Sequence, residues 1–322
     1  QVADRLGWGS ATTAEGGPAD ATDNSTSVAR TDVCVDTDNN AADFTVGAPT
    51  PQNTSTTPVV CAPDDGEEPP VDEPETIAQI QGRHHLSPFD GSKVNDVEGV
   101  VTAVSSSGFW LQSTTPDDDD ATSEAVLVYT RSTPTVAVGD TVSVDGVVDE
   151  FRPGGSGGWD NLTTTEIVSP VVTRTGTGAV PEAVVLGEDR TAPQQTVDAE
   201  DPKSVEYADA AFRPDRDAID FYESMEGMRV GVRDAQVVGP TGYEIPVVPG
   251  TGVEATRSSA GGVVYGGYDQ PNAMRVLVDD VLLPSGSLPD ADVRDRLPGL
   301  VAGPLDYSFA NFKLLATQVP TV

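Results

Sequence analysis

The residues whose types could do chemistry are few. Asp36, Asp38, Asn40 and Asp43 stand in the run DTDNNAAD. Oxygen side chains at alternate positions begin a calcium loop, because a tight turn aims every second side chain at one ion. An EF-hand needs Gly at its sixth position and Glu at its twelfth, and here those are Ala41 and Gly47. The run is therefore not an EF-hand. Two readings stay open: a Ca²⁺ site at 36–43 that draws half its ligands from elsewhere, and a set of solvated Asx turns. His84 and His85 are adjacent, with no Cys near them. Neighbouring side chains diverge, so they make a poor metal pair, and a structural role is expected for at least one. Asp117–Asp120 are four consecutive carboxylates, which also diverge and read as a solvated loop. Gly154–Gly158 lacks the following helix and Lys-Ser/Thr of a phosphate loop, and no Gly-x-Ser-x-Gly elbow occurs.

Aromatic residues interleaved with arginine offer a second kind of chemistry. In GFWLQ, Phe109 and Leu111 share one face of a strand and Trp110 the other. With Phe109 and Leu111 in a core, Trp110 lies outside, together with Tyr129, Arg131, Arg152 and Trp159. Such a surface stacks unpaired bases of DNA or RNA, each worth ~1–3 kcal/mol. The competing reading packs Trp110 and Trp159 against each other or against a neighbouring domain.

Strands must position these groups. Val94–Val104, Gly108–Gln112, Ala125–Thr130, Thr141–Phe151 and Leu162–Val168 are β-rich and separated by turn signals. Five short strands over 94–168 suit a small OB-type barrel, with Val97, Val101, Phe109, Leu111, Leu127, Val142 and Val144 as core candidates. Ala218–Met228 places Ile219, Tyr222 and Met225 at helical spacing and predicts one short amphipathic helix. Strands resume at Met228–Val238, Tyr243–Val248, Met274–Asp279, Gly299–Leu305 and Asn311–Gln318. The order of elements repeats: VNDVEGVVTAV, GFWLQ and AVLVYT parallel MRVGVRDAQVV, YEIPVV and MRVLVDD. Two readings stay open: a degenerate tandem repeat of one barrel-like module, and two unrelated β domains that share a common pattern of strands.

The chain of 322 residues carries 18 Lys+Arg against 52 Asp+Glu, a net charge of −34. That charge excludes sequence-blind binding of nucleic acid through global attraction, and suits a solvated surface in an extracellular or salty setting. No stretch approaches the ~18 apolar residues of a membrane span. Cys34 and Cys61 are the two cysteines. They pair without remainder, so one disulfide in an oxidising compartment is expected, with two unrelated thiols as the alternative. Residues 62–75, APDDGEEPPVDEPE, read as an extended acidic linker.

Longer runs carry a family resemblance. GWGS…DTDNNAADFTVGAPTPQN resembles the C-terminal half of a lamin-tail domain, an immunoglobulin-like sandwich. IAQIQGRHHLSPFDG…VEGVVTAV…GFWLQ…AVLVYT…VGDTVSVDGVVDEF resembles the OB-like domain of large secreted bacterial nucleases. AIDFYESMEGMRVGV…YEIPVV…LDYSFANFKLLATQ resembles the segment before their catalytic domain, which is of the endonuclease/exonuclease/phosphatase type.

The resemblance implies a mostly-β chain with a truncated lamin-tail piece at 1–61 and a linker at 62–75. An OB-like domain at 76–175 follows, then an irregular connector at 176–217 and a second OB-like module at 218–322. It implies an accessory region of an extracellular nuclease, with the catalytic domain in cis downstream and requiring Mg²⁺ or Mn²⁺. The chain starts at Gln1 and ends at Val322, where the resemblance places the linker to that domain, so it reads as an internal piece without catalysis of its own. The rival expectations are a structural or adhesive secreted β-module and a halophilic secreted enzyme with its site in 176–322.

Overall fold

In a computed structural model the chain is mostly β. It describes residues 6–14, 16–31, 39–50, 76–154, 161–194, 196–198, 204–207, 210–251, 257–267 and 272–322. Two compact units divide it, Gln1–Val71 and Asp72–Val322. In the first, β1 (Ser27–Arg30) pairs antiparallel with β2 (Phe44–Gly47), and a single helical turn, α1 (Asn40–Asp43), enters β2. Asn39 caps that turn, its side chain accepting from the Ala41 N–H. The expected Cys34–Cys61 bridge lies outside the described residues.

The second unit holds two barrels of one topology. The first consists of β3 (Lys93–Val104), β4 (Gly108–Gln112), β5 (Ala125–Tyr129), β6 (Asp140–Phe151) and β7 (Thr164–Thr177). They close in the order β3-β4-β5-β7-β6, antiparallel except for the parallel β5–β7 pair. Downstream come β8 (Val184–Val185), β9 (Arg229–Val237), β10 (Ile245–Val248), β11 (Val276–Asp279), β12 (Arg296–Ser308) and β13 (Asn311–Leu315). Their sheet runs β10-β11-β13-β12-β9-β8, and β10 also pairs with β9. The ring β9-β10-β11-β13-β12 is thus the first barrel's ring again, with its parallel pair at β11–β13. Strand β8 is an added edge within the stretch expected to be an irregular connector.

Each barrel is stoppered by the short helix before its first strand. Helix α2 (Ile77–Gln81) starts at a capping box between Thr76 and Gln79 and inserts Ile77 and Ile80 among Val97, Phe109, Leu111 and Val144. Helix α3 (Ala218–Glu223), shorter than the sequence periodicity suggests, leads Phe221, Tyr222 and Met225 into the second core. The repeated unit is therefore a helical plug plus five strands. Of the core candidates, Leu127 faces the other way. Val126 and Val128 fill the barrel, and Leu127 pairs with Trp110 on the outside. A short apolar run such as AVLVY reads the same from either face, so its parity is set by the partner strand.

Closure demands bending, and both barrels bend where the fourth strand crosses the fifth on a glycine. A Cβ at Gly146 would lie 2.5 Å from Ile167 Cγ2, and one at Gly303 would lie 1.7 Å from the Leu315 carbonyl oxygen. The Leu315 backbone cannot give way without breaking the β12–β13 ladder. Gly303→Ala is expected to cost at least ~3 kcal/mol. A denaturant titration monitored by tryptophan fluorescence measures it, and a loss within ~0.5 kcal/mol contradicts the close crossing.

Candidate functional site at the junction of the barrels

The groups with the most perturbed chemistry meet where the two barrels join. Helix α2 ends at Gly82, whose φ of 68° turns the chain, and Ser87 Oγ donates to the Ile80 carbonyl at 2.5 Å. This tight return carries His85 inward and leaves His84 exposed. From the other module, α3 presents Asp220 and Glu223 one turn apart, and Glu226 follows on the turn into β9. His85 Nε2 lies 2.7 Å from Asp220 Oδ1, and its Nδ1 lies 3.1 Å from Glu223 Oε2. The second contact is an ion pair without hydrogen-bond alignment. Asp220 uses its other oxygen on the Arg213 N–H at 2.7 Å. Glu226 accepts from the Thr165 N–H of β7 at 2.8 Å, and its carbonyl accepts from Ser123 Oγ at 2.5 Å. Glu150, at the end of β6, accepts from the Ser87 N–H at 2.6 Å and from Thr165 Oγ1 at 3.0 Å.

Electrostatics decide the charge states. Burial favours neutral His85, but the charges of Glu223 and Asp220 and the hydrogen bond to Asp220 outweigh it and raise the imidazole to about 10. It is therefore an imidazolium at neutral pH. Burial, reinforced by Glu223 and Glu150, pushes Glu226 well above the usual carboxylate range, so it holds a proton. Burial likewise raises Glu150. Beside them, burial and the nearby Asp149 and Asp306 raise Glu166 to about 7, and burial raises Asp306 on β12 to about 6. Among the described residues one cation, His85, pairs with this concentration of carboxylates, and protonation supplies further neutrality.

The cluster is closed to solvent: His85, Asp220, Glu223 and Glu226 are each at most 6% exposed. Buried in this way, the cluster pairs His85 with Asp220 and Glu223, and Glu226 with β7 of the first module. Around it, Gln112 Oε1 accepts from the Arg229 N–H at 2.9 Å, and Asn161 Oδ1 accepts from the Ala310 N–H at 2.9 Å. Trp110, 5% exposed, packs with Ala103, Leu127, Leu282 and Leu315.

The residues expected to stack bases have different surroundings. Trp110 does lie outside the first barrel, but the second barrel covers it. Arg152 is held by the Asn161 carbonyl and by Glu206. Tyr129 is half-buried at the end of β5, Arg131 is exposed beyond it, and Trp159 lies outside the described residues. Of the calcium candidates, Asp36 and Asp38 lie outside the described residues. Asn40 Oδ1 accepts from the Gly7 N–H at 2.7 Å, and Asp43 faces Arg30 at 3.9 Å. Among the described residues, no group of three or more His, Cys, Asp or Glu is arranged to hold a metal. Asp117–Asp120 is a loop of internal turns, with Asp119 3.4 Å from Arg83. Among the described residues no helix is long and apolar enough to cross a membrane.

Residues 185–322 match a family described as a domain of unknown function (DUF8508). The matched span holds α3 and the whole second barrel, so the junction's Asp220, Glu223 and Glu226 lie inside it and His85 outside. No curated protein and no solved structure matches the chain.

Two pH dependences follow. The raised pKa of His85 gives a stabilisation that is complete below about 6.5 and lost as pH rises through about 10. His85→Gln leaves Asp220 and Glu223 without their cation and is expected to cost ~3–5 kcal/mol near neutral pH. The loss should shrink toward pH 10, as measured by chemical denaturation across that range. Glu166 works in the acid direction: its stabilisation is complete below about 4.5 and lost as pH rises through about 7. Glu166→Gln should therefore raise the melting temperature near pH 8 and leave it unchanged below about pH 4.5. A uniform effect at both pH values would contradict the assignment.

Proposed function

We propose that this chain is an accessory scaffold of an extracellular nuclease, holding a catalytic domain in cis. The observation that carries the scaffold part is the fusion of two complete barrels through the His85–Asp220–Glu223–Glu226 cluster and the covered Trp110. A joint with buried hydrogen bonds and ion pairs fixes the orientation of one module on the other, which suits a spacer more than a hinge. The likeness of its runs to the accessory region of secreted nucleases supplies the parent class and the extracellular setting. Guidance of DNA or RNA is the lesser part of the reading. Trp110 and Arg152 have protein partners, and the net charge of −34 repels a phosphate backbone.

Metal-assisted hydrolysis of a phosphodiester needs ligands, a positioned water and charge stabilisation converging in one pocket. The purified chain, incubated with plasmid and single-stranded DNA plus Mg²⁺, Mn²⁺ or Ca²⁺, is expected to cleave neither. Metal-dependent cleavage that disappears on mutating one of its own carboxylates would make it the enzyme. Single-stranded DNA binding that weakens with salt and with Arg131→Ala would promote guidance over scaffolding.

A further inference from the structure

A cavity of about 480 Å³ opens on the second module between α3, the β10–β11 loop and the β12–β13 hairpin. That is within the ~300–1,000 Å³ range of small-molecule sites. Its walls are aromatic. Tyr222 and Phe312 stack at 4.9 Å between ring centroids, and Tyr307 meets Phe312 edge-on at 5.0 Å. Tyr222 is fixed by its hydroxyl, which donates to the Ala273 carbonyl at 2.5 Å. The walls therefore need no reordering to receive a ring. At the mouth Tyr265 is 66% exposed, an aromatic surface with little covering of its own.

The charge in this cavity runs against the rest of the molecule. Acids outnumber bases 52 to 18 in the chain, yet among the described lining residues Arg275 is the one charged side chain. Its guanidinium donates one hydrogen bond, to Asn311 Oδ1 at 2.9 Å. Asn311 is in turn tied to the Phe309 carbonyl at 2.7 Å, so the guanidinium is held in place with further N–H groups to offer. Asn272 donates its amide to the Val264 carbonyl and keeps its oxygen as an acceptor.

The geometry points to a binding site for a planar aromatic ligand that carries one anionic group, of nucleoside-monophosphate size. The rings take the flat apolar part, Arg275 takes the anion and Asn272 Oδ1 takes a donor on the ring edge. Neither Arg275, Asn272 nor Tyr265 belongs to the barrel junction, and the inference does not depend on the nuclease reading.

Calorimetric titration of the full chain with adenosine monophosphate, adenosine and ribose phosphate tests it. The monophosphate is expected to bind, with adenosine and ribose phosphate each at least ~10-fold weaker, because each lacks one of the two recognised parts. Arg275→Ala should reduce the monophosphate to the level of adenosine, while Arg275→Lys retains part of the difference. Tyr265→Ala removes an exposed ring that the fold does not need, and should weaken the monophosphate and adenosine alike. If Arg275→Ala fails to fold, the Tyr265→Ala titration decides. A phosphorylated dinucleotide binding more tightly than the monophosphate would identify a strand end as the source, and weaker binding a free nucleotide. No heat with the monophosphate at millimolar concentration would overturn the site. So would equal affinity for adenosine, or binding indifferent to Tyr265→Ala.

Discussion

The contact of the His85 imidazolium with the carboxylates of α3 fixes much of the second unit's arrangement. It links the plug-to-strand turn of one module to the plug helix of the next, 135 residues later. Removing water from Asp220, Glu223 and Glu226 carries a desolvation penalty of several kcal/mol per ion, which only close pairing or protonation offsets. The structure uses both devices, the His85 imidazolium and the proton held by Glu226. Because the offset is partial, the cluster specifies a position more than it adds stability. An alternative docking of the barrels would leave these carboxylates buried and unpaired. The apolar contact of Trp110 with Leu315 supplies favourable burial without that selectivity.

The two modules repeat a topology and diverge in what fills it. Both close through one parallel pair, and both carry an aspartate in left-handed backbone beside a register shift: Asp96 with φ 51° and Asp234 with φ 46°. The bulges set the extra twist that a five-stranded closure needs. The first core is an aliphatic barrel around Phe109. The second adds Phe221, Tyr222, Met225 and Met274, while Lys313, on the strand face opposite Leu314, is held between Glu244 at 2.6 Å and Asp279 at 3.0 Å. Divergence of this kind erases sequence identity while leaving strand order, which is why the repeat shows in the sequence as an order of elements rather than as matching residues.

The barrels were legible in the sequence because half-buried strands alternate and turns are punctuated. Val97, Val101, Phe109, Leu111, Val142 and Val144 all lie in the first core. Leu127 did not follow, since AVLVY is apolar on both faces and only Trp110 across the sheet shows why. Helix α2 is too short to display a period, and its one signal was the capping pattern of Thr76 with Gln79. His85 could not be distinguished from His84 without its partners. Its acids were nonetheless visible as a spacing of three in AIDFYESMEG, masked by the apolar period of Ile219, Tyr222 and Met225 over the same stretch. When both faces of a helix are buried, amphipathic reasoning assigns one correctly and leaves the other to solvent.

That burial of both faces also separates the junction from the aromatic cavity. Helix α3 turns Asp220 and Glu223 toward the first module and Tyr222 toward Phe312, so one six-residue element anchors the joint and forms a wall of the cavity. The acidic side is neutralised internally, by His85 and by protonation, and projects little charge. The aromatic side meets Arg275, and no carboxylate stands among the described lining residues. In a molecule of net charge −34, sequestering the α3 carboxylates at the joint keeps them out of the cavity. A single guanidinium there can then set the local sign of the potential within a Debye length of ~8 Å.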